Sequence, residues 1–308
     1  MTVLSSKTTI GILGTAKGPH VKALTIALEG MGVKVKLIDP QKLTSYMPQS
    51  ATFLAESREA LDGQAQTPEN IKNLDALLIR SLPGGSLEQV IYRMDVLHRL
   101  EKQGLMIINS PSLLEKTVDK FYTTALLADA GLPVPKTIVT ERFDQAMEAV
   151  RKFGRVVVKP LFGSLGKGMV LIEDPDTAHR VFRALELGNY VYYLQGFLPH
   201  DNGDYRLFVV GGEVVSAMRR QSNYWKANIA CGATAEPYHP DSVMTELAVR
   251  TADILQADYL GVDILISDGK PYLIEANGIP GWTGLQSVSN INIAEVIAKY
   301  VLRKIGRI

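Results

Sequence analysis

The chain has 308 residues, 46% of them hydrophobic, which suggests two or three domains with real cores and no need of covalent staples. Its 33 basic and 32 acidic residues leave a net charge of +1, which gives no sign of nucleic acid or an anionic membrane as partner. A single cysteine, Cys231, excludes an internal disulfide framework, no signal-peptide pattern opens the chain, and no stretch approaches ~20 apolar residues, so a soluble cytoplasmic protein is the expectation.

In chain order, "TTIGILG" (8–14) reads as a buried strand, followed by a helix over 19–29 and a strand over 33–39. The stretch 44–73 is polar and weakly periodic and reads as an excursion loop, with a short helix around 53–60. "DALLIR" (75–80), a helix over 86–103 and "LMIIN" (105–109) resume the alternation, which indicates βαβ units and a parallel sheet. A helix over 117–130 stops at Gly131 with Pro133 beyond, a common helix ending. "KTIVT", a helix over 143–153, two strands around a glycine-rich loop and a helix over 175–187 follow. From 190 the strands come close together, with a hairpin at Gly211-Gly212. A helix over 241–256, the hairpin "YLGVDILISDGKPYLIEAN" and a helix over 290–304 complete the chain. The fold class is α/β first, then α+β.

The stretch "PYLIEANGIPGWTGL" (271–285) puts a carboxylate and a carboxamide at the end of a hydrophobic strand. Side chains two apart on a strand face the same way, roughly 7 Å apart at their bases, so Glu275 and Asn277 point together. Asp263 lies in the preceding strand, and its position depends on the turn at Asp268-Gly269. A two-residue loop sets Asp263 opposite Ile274 and sends Glu275 to the other face; a three-residue loop over 268–270 sets Asp263 opposite Glu275. In the second case Asp263, Glu275 and Asn277 converge, an all-oxygen set that suits Mg²⁺ carrying substrate phosphates. Taken alone, the pattern is more often that of a solvated strand end.

"VVVKPLFGSLGKGMVLI" supplies a place for the phosphates. Gly163, Gly166 and Gly168, with Ser164 and Lys167 between them, let backbone N–H groups approach an anion, and Lys159 ends the apolar strand before them. The loop is no Walker A motif, because Met169 stands in place of Ser or Thr and a strand follows. "GILGTAKG" (11–18) lacks the dinucleotide-binding spacing, so an NAD-dependent dehydrogenase has little support.

The lysine-ended strand, the glycine loop, a hinge strand and the late D…E-x-N together resemble the ATP-grasp superfamily, and within it the RimK-type glutamate ligases. The resemblance runs close to full length and includes "DK" at 119–120, "VVVKP", "YLQGF", "DYRLFVVGGEVV", "YWKANIACGA", "GVDIL" and "LIEANGIPG". It implies a three-domain ATP-grasp architecture: an N-terminal α/β domain over 1–113, a lobe with the glycine lid over 114–192, and a lobe with the hinge and metal site over 193–308. It implies ATP and two Mg²⁺ ions, with Mn²⁺ as a substitute, held by Asp263, Glu275 and Asn277. Lys120 and Lys159 would contact the phosphates and the adenine side, the backbone from Gln195 through Gly196 and Phe197 to Leu198 would form the adenine hinge, and Asp204 would take the ribose hydroxyls. Arg206 would meet the transferred phosphoryl group, and Asn228 would lie near the phosphates. The chain departs from the family at Gly196, which removes the hinge carboxylate, and at Lys226 and Cys231, which replace arginines; these changes bear on substrate positioning more than on ATP binding.

The implied activity is ATP-dependent amide formation between a carboxylate-bearing acceptor and an amino acid, glutamate by the resemblance, through an acyl phosphate. Rival readings are a small-molecule kinase on the same fold and a non-catalytic nucleotide-binding module. A homo-oligomer is left open. Other singled-out residues carry plainer readings: Cys231 as a small packed residue, His98 on a helix surface or against the sheet, Trp282 as packing or a substrate contact, and Arg80 as either a substrate-carboxylate contact or a structural salt bridge, an ambiguity that Lys17 and His20 share.

Overall fold

The computed structural model describes residues 8–47, 52–59, 69–163, 166–225 and 232–308. The first part of the chain gives β1 (Thr9–Leu13), α1 (Pro19–Gly30), β2 (Lys34–Tyr46), β3 (Thr52–Glu59), β4 (Glu69–Asn70), β5 (Ala76–Ile79), α2 (Leu87–Lys102) and β6 (Met106–Ile108). They form a sheet of order β4-β3-β2-β1-β5-β6. β1 runs parallel to β2 and β5, and β5 parallel to β6, as the alternation requires. The stretch read as an excursion loop is corrected: β2 continues to Tyr46, and β3 pairs antiparallel with it where the short helix was expected. An exposed sheet edge leaves backbone groups unpaired, and a returning strand satisfies them; periodicity within one segment does not reveal such a partner.

The second part gives α3 (Pro111–Val118), α4 (Lys120–Asp129), β7 (Thr137–Thr140), α5 (Phe143–Phe153), β8 (Val156–Lys159), β9 (Val170–Ile172), α6 (Pro175–Leu187) and β10 (Tyr192–Gly196). The helix expected over 117–130 is split at Asp119, whose carboxylate accepts from the Tyr122 N–H at 3.1 Å and caps a new helix with Lys120 as its first residue. β7, β10, β8 and β9 form an antiparallel sheet in that order. Ala149, Val158, Phe182 and Leu194 close its core under α5 and α6. β10, which straddles the border expected at 192–193, completes this sheet through Gly196.

The last part gives β11 (Gly203–Val210), β12 (Glu213–Gln221), β13 (Thr234–Pro237), α7 (Ser242–Leu255), β14 (Tyr259–Ser267), β15 (Lys270–Asn277), α8 (Thr283–Gln286) and α9 (Ile293–Lys304). The strands form a sheet of order β13-β12-β11-β14-β15. One face packs on α7 through Leu207, Val209, Val262 and Leu273. The other carries Phe208 and Tyr259 into a core shared with α1 and α9 of the opposite ends of the chain. Among the described residues no helix is long and apolar enough to cross a membrane.

Candidate active site

The hairpin β14–β15 decides where its polar side chains point. Its turn is the two-residue kind: Ser267 pairs with Lys270, and Asp268 and Gly269 both have positive φ, 48° and 72°. That turn alone would set Asp263 opposite Ile274. A bulge intervenes: Ile264 pairs with Leu273, but Asp263 pairs with Glu275, leaving Ile274 as the extra residue. The three-residue turn is thus replaced by a regular turn plus a bulge, with the same pairing of Asp263 and Glu275. Ile274 and Glu275 both line the cleft, while Leu273 and Ala276 remain in the core beneath α7.

The hairpin β11–β12 repeats the device. Gly211 and Gly212 turn with φ of 59° and 82°, Val209 pairs with Val214, and Phe208 pairs with Ser216, so Val215 is the extra residue. The shift sets Arg220, not Arg219, opposite Asp204. β11 also pairs with β14, placing Arg206 opposite Asp263. The result is a buried network of two carboxylates and two guanidinium groups. Arg206 donates through Nε and Nη2 to Asp263 at 2.7 Å each. Arg220 donates to both oxygens of Asp204, at 2.6 and 2.7 Å, and ion-pairs with Asp263 at 2.9 Å. Burial alone would raise the Asp263 carboxyl, but Arg206 and Arg220 outweigh it and hold it down at about 2, so Asp263 is ionised. Asp204 is raised, chiefly by burial and against the pull of Arg220.

Two lysines face this network from the other side of the cleft. Lys120 at the start of α4 donates to the Gly163 carbonyl at 2.7 Å. Lys159 ends β8 and is brought down to about 8 by burial and by the charge of Lys120, with Glu275 and Asp263 pulling the other way. Lys120 is lowered too, by burial, against Glu275 and Asp119. Behind them Tyr193 sits opposite Lys159 in the ladder and shares a 2.8 Å hydroxyl contact with Thr124 on α4. Gln195 donates to the Tyr193 hydroxyl at 2.9 Å, so its side chain turns inward.

These groups line one cleft of about 910 Å³, part of it open to solvent. Gly163, Gly166 and Lys167 of the glycine loop border it, and Gly163 and Gly168 adopt φ of 155° and 75° while packing on Pro160. Gly196, Phe197 and Leu198 border its far end. The Gly196 N–H is used by Lys136 at 2.8 Å and the Phe197 N–H by Arg155 at 2.9 Å. Arg206 and Asn277 are not among the lining residues: Arg206 is taken up by Asp263, and the Asn277 side-chain amide nitrogen is buried with no hydrogen-bond partner among the described residues. Ser164, Lys226, Asn228 and Cys231 lie outside the described residues.

Arg220 is the residue that motif reading missed; a cross-strand count through the 211–212 turn finds Arg219 instead, because the bulge is silent in the sequence. Arg80 forms no ion pair among the described residues. It donates to the Pro280 carbonyl at 2.8 Å and to the Tyr259 hydroxyl at 3.2 Å, and its guanidinium lies 4.6 Å from the Trp282 ring. With Asn109, which donates to the Gly278 carbonyl at 2.7 Å, it holds the loop that follows Asn277. Trp282 is 3% exposed and packs in the core. The His20 ring lies tilted against it, with centroids 4.3 Å apart, and is brought down to about 4 by burial and then by Arg80. Gly278 and Gly261 are required here, since a Cβ would come within 2.5 Å of Thr117 and 2.9 Å of Pro280 respectively. Lys17 is exposed, and His98 pairs with Glu115 at 2.9 Å on the surface of α2.

The cleft between two sheets thus sets lysines and a glycine loop, suited to an anion, on one wall and a carboxylate pair at a strand end, suited to a cation, on the other. Residues 117–301 match the model of the RimK-like ATP-grasp domain. The chain is 31% identical over 291 residues to tetrahydromethanopterin:alpha-L-glutamate ligase of Methanococcus maripaludis, covering 93% of this chain and 95% of that one. It is 30% identical over 303 residues to a probable alpha-L-glutamate ligase of Legionella pneumophila, covering 96% and 95%. Among solved structures, the ATP-grasp ligase PsnB with a precursor variant, Mg and ADP shares the fold, with a TM-score of 0.74 at 22% identity over 97% of this chain and 99% of that one. The chain belongs to the RimK-like ATP-grasp family. It is an ATP-dependent carbon–nitrogen ligase.

Proposed function

We propose that the protein adds glutamate to a carboxylate carried by a small molecule, a coenzyme or a peptide. The observation that carries the reading is the pairing of Asp263 with Glu275 at the end of β14–β15, facing Lys120 and Lys159 across the cleft. The donor set suits Mg²⁺: the carboxylates of Asp263 and Glu275 and the carboxamide oxygen of Asn277 are all oxygen ligands, and Asp263 is ionised. Asp263, Glu275 and Asn277 would hold two ions, which supply charge neutralisation at the phosphates.

Lys120 and Lys159 bind the phosphates, and Gly166 and Lys167 cover them. An oxygen of the acceptor carboxylate attacks the γ-phosphorus, the bond to ADP breaks, and an acyl phosphate forms. The glutamate amine then attacks the acyl carbon, loses its proton and expels phosphate. The chain needs no nucleophile of its own; its work is positioning and charge stabilisation, with Arg206 placed by Asp263 at the reacting end. Exclusion of water by the glycine loop protects the acyl phosphate. The same reading divides the chain near 1–113, 114–192 and 193–308.

Support for glutamate comes from the relatives' own names. Those names differ in acceptor, tetrahydromethanopterin in one and the carrier LysW in the alpha-aminoadipate ligase of Sulfurisphaera tokodaii, so a screen is the direct test. The protein is incubated with MgATP, isotopically labelled glutamate and fractionated metabolites and peptides. A product heavier by one labelled glutamyl residue, with stoichiometric ADP, is expected. ADP release that needs an acceptor and no amine would favour the kinase reading.

A further inference from the structure

The apolar end of the cleft contains a contact that the ligase chemistry does not use. Val157, Met169, Leu198, Leu265 and Ile274 line this end. β12 leaves its sheet after Gln221, and the Ser222 N–H still bonds to the Asn202 carbonyl at 3.0 Å. Trp225, three residues on, lines the cleft again. Its carbonyl oxygen lies 3.1 Å from Nε2 of His200, and Nδ1 of the same ring lies 2.7 Å from the carbonyl oxygen of Leu198. Both partners are acceptors, so the imidazolium holds both and the neutral ring either one. The His200 ring also rests 5.5 Å from that of Phe197, which lies beneath the Arg155 guanidinium at 4.1 Å; Arg155 in turn pairs with Glu173 at 2.6 Å. His200 therefore joins two segments that reach the cleft from different sheets, one just after β10 and one just after β12.

We propose that His200 is a positioning residue for the nucleobase: it fixes Trp225 as one wall of the base pocket and so sets ATP affinity without acting on the phosphates. The proposal rests on the reading of the cleft as the MgATP site. An aromatic wall held in place before binding loses less freedom when the base arrives, and that saving appears as affinity. The chemistry at Asp263 and Glu275 is untouched, so saturating ATP restores the rate.

The test separates the base from the phosphates by using MgATP and magnesium tripolyphosphate as calorimetric ligands. His200→Ala is expected to weaken MgATP by about tenfold, the scale of one lost hydrogen bond, with tripolyphosphate affinity and the rate at saturating ATP within about twofold. His200→Gln keeps a donor and recovers part of the loss. In a Trp225→Ala background, His200→Ala adds nothing further, because the two act as one unit. Unchanged ATP affinity, a parallel loss for tripolyphosphate, or additive losses in the double variant would each overturn the proposal. Should His200→Ala fail to fold, the His200→Gln variant in the wild-type and Trp225→Ala backgrounds decides by the same criteria. Wild-type protein that binds no MgATP would overturn the ATP reading, and this proposal with it.

Discussion

The lobe formed by β7–β10 with α5 and α6 closes its core entirely from its own residues, Ile138 to Leu194 in the chain. The sheet that carries Asp263 and Glu275 has no such independence. One face shares a core with α3 and α4 through Leu113 and Leu127, and the other shares one with α1, α9 and the N-terminal sheet through Phe208 and Tyr259. Arg80 and Asn109, both at carboxyl ends of N-terminal strands, further fasten the loop behind the carboxylates. The carboxylate wall is thus built into two cores at once, while the lysine and glycine-loop wall belongs to a body of its own. Such a body is the one expected to move as a unit when nucleotide binds, with its hinge beyond Gly196.

The largest expected effect concerns the fixed wall. Glu275→Gln removes the charge proposed to hold metal, at a half-buried position outside the packed core, so turnover should fall by about a thousandfold or more. The melting temperature should stay near that of the wild type. A large drop in melting temperature instead would make Glu275 a structural residue and weaken the division between site and scaffold.

Arg220→Met comes next. It leaves Asp204 and Asp263 buried with Arg206 as their remaining cation, and a cost of about 3–5 kcal/mol is expected in urea unfolding. Replacing Asp204 by Asn in the same protein should recover part of it. Equal stability of wild type and Arg220→Met would show that the network does not hold the wall.

The separateness of the moving lobe can be tested by cavities. Phe182→Ala and Leu28→Ala should each cost a few kcal/mol, about 3–5 and 2–5 respectively. Hydrogen exchange should accelerate only within 137–196 for the first, and in α1, α9 and β14 together for the second. Acceleration across the whole chain from Phe182→Ala would erase the contrast between the two walls.

The smallest effect is a pH dependence on the mobile wall. Lys159 has been brought from 10.5 to about 8, mainly by burial, and a bound triphosphate favours its ammonium form. Binding therefore takes up a proton wherever free Lys159 is neutral. Affinity for MgATP should be flat below about pH 8 and fall above it, by up to about tenfold per pH unit. Lys159→Arg stays charged and should flatten the profile; an unchanged slope would assign the proton to another group.

The sequence exposed the chemistry more clearly than the geometry that delivers it. Lys159 at the end of an apolar strand, the glycines after it, and the D…E-x-N set stood out by residue type and short spacing, and Lys159, Gly163, Gly166, Asp263 and Glu275 do come to one cleft. The parallel core of the N-terminal sheet was legible from its alternation with helices. The bulges at Val215 and Ile274 were not, since an extra residue in a strand leaves no local mark, yet each decides which side chain faces Asp204 or Asp263. Arg80 stayed ambiguous for a different reason: its partners Tyr259 and Pro280 lie 179 and 200 residues away, and a strand-end position does not say which neighbours arrive. The β2–β3 hairpin escaped because pairing between segments carries no periodic signal of its own.

The packing of α9 on α1 bears on the order in which the chain can be made. Leu24, Ala27 and Leu28 of α1 find part of their cover in Ile293, Ile297 and Val301, near the other end of the chain. A chain emerging from the ribosome can assemble the lobe around Phe182 once Leu194 is out, but the N-terminal sheet must keep an apolar face open until the last helix is synthesised. The first segment made is among the last to be finished. That interval of exposure, rather than the stability of the finished protein, is where a chaperone would find the most to hold.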